Sequence, residues 1–218
     1  MKNLLTIALF TVAAAANAGT ITIGGVDQTS SGNGYISSVG TCTIDFNDGT
    51  AGNDCGAAYT LAAGNIVQGS VSGQYASPSG DTSRYLSVGP SAGSPVTVML
   101  EDSANYFGFY AGSLDDYNSV SFYLDDDLVD SFTGDEINQV AFHEAASGNQ
   151  QQAVYINYYT TGSVLFNKVL FESDQNAFET DNHSFAVATP EIPLPGSVAL
   201  LGLGLISLAA ARRYASCA

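Results

Sequence analysis

The chain has 218 residues, and 21 acidic side chains against five basic ones give it a formal net charge of −16 at pH 7. A surface of that sign repels nucleic acid and anionic lipid, which are held through basic patches, so partners are expected among cations, neutral sugars and basic proteins. A P-loop, a dinucleotide fingerprint and His-Glu-x-x-His are all missing, which removes the commonest nucleotide and zinc-protease signatures.

In chain order, Lys2 opens a short apolar stretch over residues 4–16, and Ala16-Asn17-Ala18 puts small residues at the two positions a signal peptidase reads. Residues 1–18 are therefore expected to be a signal peptide cleaved after Ala18, with Gly19 starting the mature chain. The roughly 170 residues that follow, 19–188, suffice for one domain with its own core. Their texture is β. Val96, Val98 and Leu100 alternate with Thr97, Met99 and Glu101, and Val154, Ile156 and Tyr158 alternate with Tyr155, Asn157 and Tyr159. Residues 164–171 form a further branched and aromatic run, and shorter candidates lie at 20–23, 35–46, 65–71, 84–88, 105–110, 120–124, 128–132 and 184–187. No segment shows a helical period, and Gly, Ser, Asn and Asp recur every eight to twelve residues. That spacing predicts an all-β, antiparallel two-sheet sandwich of the jelly-roll kind.

Cys42 and Cys55 enclose twelve residues rich in Gly, Asn and Asp. In an oxidising compartment they are expected to form a disulfide worth ~3 kcal/mol in the chain-entropy model. Cys217 falls in the last residues of the chain, beyond the region where a partner would lie. Calcium is the one ligand the acidic turns nominate, although no cofactor is required. Asp125, Asp126 and Asp127 fall in an expected hairpin with Asp130 three residues on, and loop carboxylates with backbone carbonyls can build its six to eight oxygen ligands. The ordinary reading of these residues is solvated turn aspartates, and EF-hand spacing is absent.

Residues 113–118 read as a turn between two strands. Before it, Tyr106, Phe107, Phe109 and Tyr110 cannot all point into one core, because neighbours along a strand face opposite sides. Either both faces of this strand are buried or some rings are exposed as a platform on which sugars stack. The two histidines, His143 beside Glu144 and His183 beside Asn182, belong to no nucleophile-base pattern. No catalytic residue is assigned, and enzymatic activity is not expected.

The chain closes on a spacer over 189–197, Pro190-Glu191-Ile192-Pro193-Leu194-Pro195-Gly196, and an uncharged run that reaches twenty residues when counted over 192–211. At ~1.5 Å per residue that run can cross ~30 Å of hydrocarbon. Arg212 and Arg213 follow it and favour retention on the cytoplasmic side. A transmembrane helix with its terminal arginines is expected over 198–213 and a short cytoplasmic tail over 214–218. With both ends set aside, residues 19–191 hold Arg84 and Lys168 against all 21 acidic residues, a net charge of −19 with His neutral.

The combination of signal peptide, polar ectodomain, Pro190, Glu191, Pro193, Pro195, glycine-leucine run and Arg212-Arg213 resembles the PEP-CTERM proteins. The Pro-Glu-Pro triplet is interrupted by Ile192, so the motif is a variant and the scissile bond is left open. The segment 105–124, with 131–134 and 178–187, is similar to stretches of sandwich ectodomains that carry such tails. The resemblance implies a bacterial protein exported by signal peptidase, held transiently in the inner membrane and processed by an exosortase. It would then reach the cell surface or extracellular matrix as a non-enzymatic component able to bind exopolysaccharide, with no nucleic-acid partner. The alternatives are a secreted carbohydrate-active enzyme on the same scaffold and a permanently membrane-anchored surface protein.

Overall fold

The structure, a computed structural model, describes residues 19–39, 42–52 and 55–186. The expected signal peptide with Ala16 and Ala18, and the closing segment with Pro190, Glu191, Pro193, Pro195, Arg212 and Arg213, lie outside the described residues. Among the described residues no helix is long and apolar enough to cross a membrane.

The described chain is predominantly antiparallel β. Its strands are β1 (Gly19–Ile23), β2 (Val26–Asp27), β3 (Tyr35–Ile36), β4 (Ala57–Thr60), β5 (Ile66–Gln68), β6 (Arg84–Val88), β7 (Val96–Ala104), β8 (Tyr106–Ala111), β9 (Asn118–Leu124), β10 (Asp127–Thr133), β11 (Val154–Thr160), β12 (Phe166–Ser173) and β13 (Phe178–Ala186). One sheet runs β1-β11-β8-β13-β6-β5 and a second runs β10-β9-β12-β7-β4. From β6 onward each even-odd pair of strands crosses between the sheets, so strands that neighbour each other within a sheet are mostly distant in sequence.

The sheets pack face to face through aromatic side chains. Phe122 of the five-stranded sheet stacks on Tyr158 of the six-stranded one with centroids 3.8 Å apart, and Phe171 meets Phe109 edge-on at 5.4 Å. Aromatic pairs prefer such offset and edge geometries, which add to the burial of their surface. The period of two read in residues 96–101 is kept in β7: Val96, Val98 and Leu100 are buried and Met99 and Glu101 exposed.

Every residue of β8 is buried. Phe107 and Phe109 enter the inter-sheet core, whereas Tyr106 and Tyr110 point to the other face, which residues 24–37 and 76–83 cover. Tyr106 Oη meets Ser37 Oγ at 2.7 Å and donates to Asn157 Oδ1 at 2.8 Å, and Tyr110 packs on Tyr35. Gly34 is positioned where a Cβ would collide with the Tyr110 ring, and its φ of 62° also favours glycine. These four aromatics therefore fill two buried layers, and none of them forms an exposed platform.

Two expectations about elements are corrected. The run 35–46 is not one strand: after Ile36 the Ser37 hydroxyl accepts the Val39 amide at 3.0 Å, a local turn that takes the chain out of the sheet, and Ile44 returns as an isolated bridge to His183. A helix, α1 (Gly134–Phe142), follows β10 directly. Thr133 and Glu136 form a reciprocal capping box at its start, and Ile137 is buried. The Thr-x-x-Glu signature was legible in the sequence, but nine residues are too few for a clear period.

Candidate functional site

Asn105 fixes one end of the molecule. Its amide donates to the Ala186 carbonyl at 3.2 Å and its carbonyl accepts from Thr160 at 3.0 Å, while Thr160 pairs with Gly19. The first described residue and the last therefore leave from the same end of the sheets. At the opposite end the loops after β5, β8, α1 and β12 enclose a cleft of about 470 Å³.

The cleft walls are cross-tied by polar groups, with Glu179 the most deeply buried among them. Glu179, at the start of β13, accepts the Ala76 amide at 2.8 Å, with Ser113 Oγ 3.4 Å from its other oxygen. The Asn176 side chain donates to the Gly73 carbonyl at 3.0 Å and to Ser91 Oγ at 2.6 Å, and its oxygen accepts the Ser91 amide. Tyr117 Oη donates to the Asn176 carbonyl at 3.2 Å, and the Gly148 amide donates to the Leu114 carbonyl at 2.8 Å. Four loops thus hold one another, which preorganises the cleft for a ligand.

Serine, glycine, glutamine and asparagine line most of the cleft together with Tyr75, Tyr117, Asp115 and Glu179, and no lysine or arginine faces it. Burial raises the Glu179 carboxyl to about 7, with the Ala76 hydrogen bond opposing and Asp115 adding to the rise. Burial also raises Asp115, against the hydrogen bond from Tyr117. Such a lining offers many neutral donors and acceptors and two aromatic rings, the chemistry that suits polyols.

The residues singled out from sequence fall elsewhere. Asp125, Asp126 and Asp127 do form a hairpin turn between β9 and β10. There Asp125 accepts from the Asn167 side chain at 2.8 Å, and Asp126 pairs with Lys168 at 3.1 Å. Asp130 is directed away from them, toward Tyr158 and the Gly19 amide. Among the described residues no three His, Cys, Asp or Glu side chains converge as a metal-holding group. Cys42 and Cys55 form the expected disulfide, with Cα atoms 5.7 Å apart.

His183 lies fully buried among Phe46, Phe107, Phe109 and Phe171. Its Nδ1 is 2.9 Å from Tyr59 Oη and its Nε2 is 2.9 Å from Thr180 Oγ1. Burial keeps it neutral, down to about 3, so it is a satisfied core residue. His143 ends α1 with a left-handed backbone. The hydroxyl partner Thr180 of His183 is itself fully buried, out of reach of a substrate. Gly89-Pro90-Ser91-Ala92-Gly93 has the spacing of a nucleophile elbow but forms a turn between two strands, closed by the Gly89–Gly93 bridge, and Ser91 Oγ is engaged by Asn176. Asn182, in an Asn-x-Ser triplet, is buried, and its amide donates to the Asn33 and Tyr35 carbonyls at 2.6 and 3.1 Å. It presents no acceptor for glycosylation.

The sequence pointed to the β9–β10 turn and missed the cleft, because the cleft residues come from four loops with no shared motif. The unbroken polar run Glu179–Ser184 was the one local hint. Comparison of the chain with family models, with curated proteins and with solved structures finds no match.

Proposed function

We propose that the mature chain is an exported, non-enzymatic surface or matrix component that presents a polar cleft to a neutral polysaccharide. Its C-terminal PEP-CTERM-like segment is proposed to direct sorting and exosortase processing. The scaffold is read as a jelly roll: β6-β13-β8-β11 and β7-β12-β9-β10 follow the order generated by two interlocked Greek keys. The observation that carries the reading is polarity of another kind. Gly19 and Ala186 leave from one end of the sheets, and the cross-tied cleft opens at the other, clear of both. Net charge favours a neutral glycan over an anionic one.

Binding of purified extracellular polysaccharide to the exported protein, read by glycan array or calorimetry, tests the cleft. Tyr117→Ala should weaken binding about 10-fold, at ~1–2 kcal/mol for a lost stacking and hydrogen-bonding ring. Unchanged affinity in that variant, or no binding at all, would sink the proposal. The C-terminal mass of the protein recovered from the medium tests the tail: a mass ending near residues 190–196 fits processing, and an intact Ala218 contradicts it. A carbohydrate-active enzyme is the second reading, favoured by one observation, that Asp115 and the buried Glu179 line the same cleft, where burial pushes the Glu179 carboxyl up. Release of reducing sugar that disappears in Glu179→Gln would establish it.

A further inference from the structure

On the outer face of the six-stranded sheet, away from the cleft reading and independent of it, two carboxylates are buried side by side. Asp81 lies in the loop entering β6 and Asp181 in β13, at 4% and 0% exposure. Ser83 joins them. Its amide and hydroxyl donate to Asp81 Oδ1 at 2.7 and 2.5 Å, and the same hydroxyl is 3.4 Å from Asp181 Oδ2. The remaining oxygens, Asp81 Oδ2 and Asp181 Oδ1, are buried without any hydrogen-bond partner.

A buried carboxylate oxygen with no donor is costly, and two carboxylates sharing one enclosure repel each other. Among the described residues no cation pairs with them. Arg84 and Lys168 are the only Lys or Arg from residue 19 to 186, and the one ion pair among the described residues joins Lys168 to Asp126 on the other sheet. Other charges nearby are of the same sign. Asp45, on the segment bridged to His183, acts on Asp181, and Asp27 of β2 acts with both carboxylates on Tyr110 of β8. The cover over this pocket is itself pinned, since Asn33 bridges Asp81 and receives the Asn182 amide.

We propose that a calcium ion sits between the carboxylates of Asp81 and Asp181 and fastens the loop before β6 to β13. Two carboxylates and the Ser83 hydroxyl form a partial shell of hard oxygens that water completes, the ligand type calcium prefers. The ion neutralises both charges at once and gives each orphaned oxygen a ligand contact, whereas a single proton shared between the two carboxyls would join those oxygens and still leave one negative charge buried. The site differs from the β9–β10 turn that composition alone nominated.

The test uses the purified exported protein. With calcium about a hundredfold above its Kd, the Tm should stand about 5–10 °C above that in chelator. The combined variant Asp81→Asn with Asp181→Asn should lose the shift, while Asp125→Asn with Asp126→Asn should keep it. A native protein whose melt ignores chelator overturns the proposal, and so does a shift that survives in the Asp81/Asp181 variant. If that variant fails to fold, terbium luminescence of the native protein decides. Tyrosine-sensitised emission that calcium displaces and Tyr110→Phe diminishes supports the site, and its absence refutes it.

Discussion

Glu179 accepts the Ala76 amide hydrogen at 2.8 Å, tying the last strand to the loop that walls the cleft. The two residues are 103 positions apart in sequence, and the bond is buried. This contact makes the ionisation of one carboxyl a property of the cleft.

Because burial raises Glu179 from 4.5 to about 7, the folded protein holds a proton there that the unfolded chain releases. Its stabilising contribution is complete below the ordinary carboxyl range and is lost as pH rises through about 7. The loss is about 3 kcal/mol between the two limits. Glu179→Gln should therefore leave stability nearly unchanged at pH 5 and increase it at pH 8. Chemical denaturation of both proteins across that range measures the difference, and parallel pH curves would refute it.

Reducing the Cys42–Cys55 disulfide, or replacing both residues by serine, should cost about 3 kcal/mol for a loop of this length. The loss should be confined to stability. The cleft lies among other loops, so glycan affinity of the folded variant should stay within about twofold, about 0.4 kcal/mol. Thermal melts and binding isotherms of the same preparation test both halves.

Asn182 holds the covering segment through two carbonyls and adopts a φ of 52°. Asn182→Ala leaves those carbonyls without donors and puts a Cβ-bearing residue less suited to the left-handed region there. A loss of about 3 kcal/mol is expected. Asn182→Gly should recover about 1 kcal/mol of that through its backbone freedom alone. Equal stability of the two variants would contradict the backbone contribution.

At Gly148, φ is 61°, and a Cβ would stand 2.6 Å from Asp115 Oδ1. Gly148→Ala should displace Asp115 and destabilise the protein by about 1–3 kcal/mol. Glycan binding should weaken with it, because Gly148 and Asp115 both face the cleft. A variant with native stability and native affinity would show that this close approach is dispensable.

What the sequence determined by itself was local or additive. Alternation in residues 96–101 and 154–159 specified strands because side chains on a pleated backbone switch faces at every residue, and Cys42 and Cys55 were near enough in sequence to be paired without a fold. The sum of charges needed no structure either. Tertiary structure alone decided which faces are covered. Tyr106 and Tyr110 are buried because residues 24–37 fold over them, and the polar run Glu179–Ser184 is buried because its partners, among them Ala76, Asn33 and Tyr59, return from more than 100 residues earlier. The cleft and the Asp81–Asp181 pair have the same origin. Both depend on where crossing connections end, and a hydrogen bond or an orphaned carboxylate exists only once distant segments have been brought together.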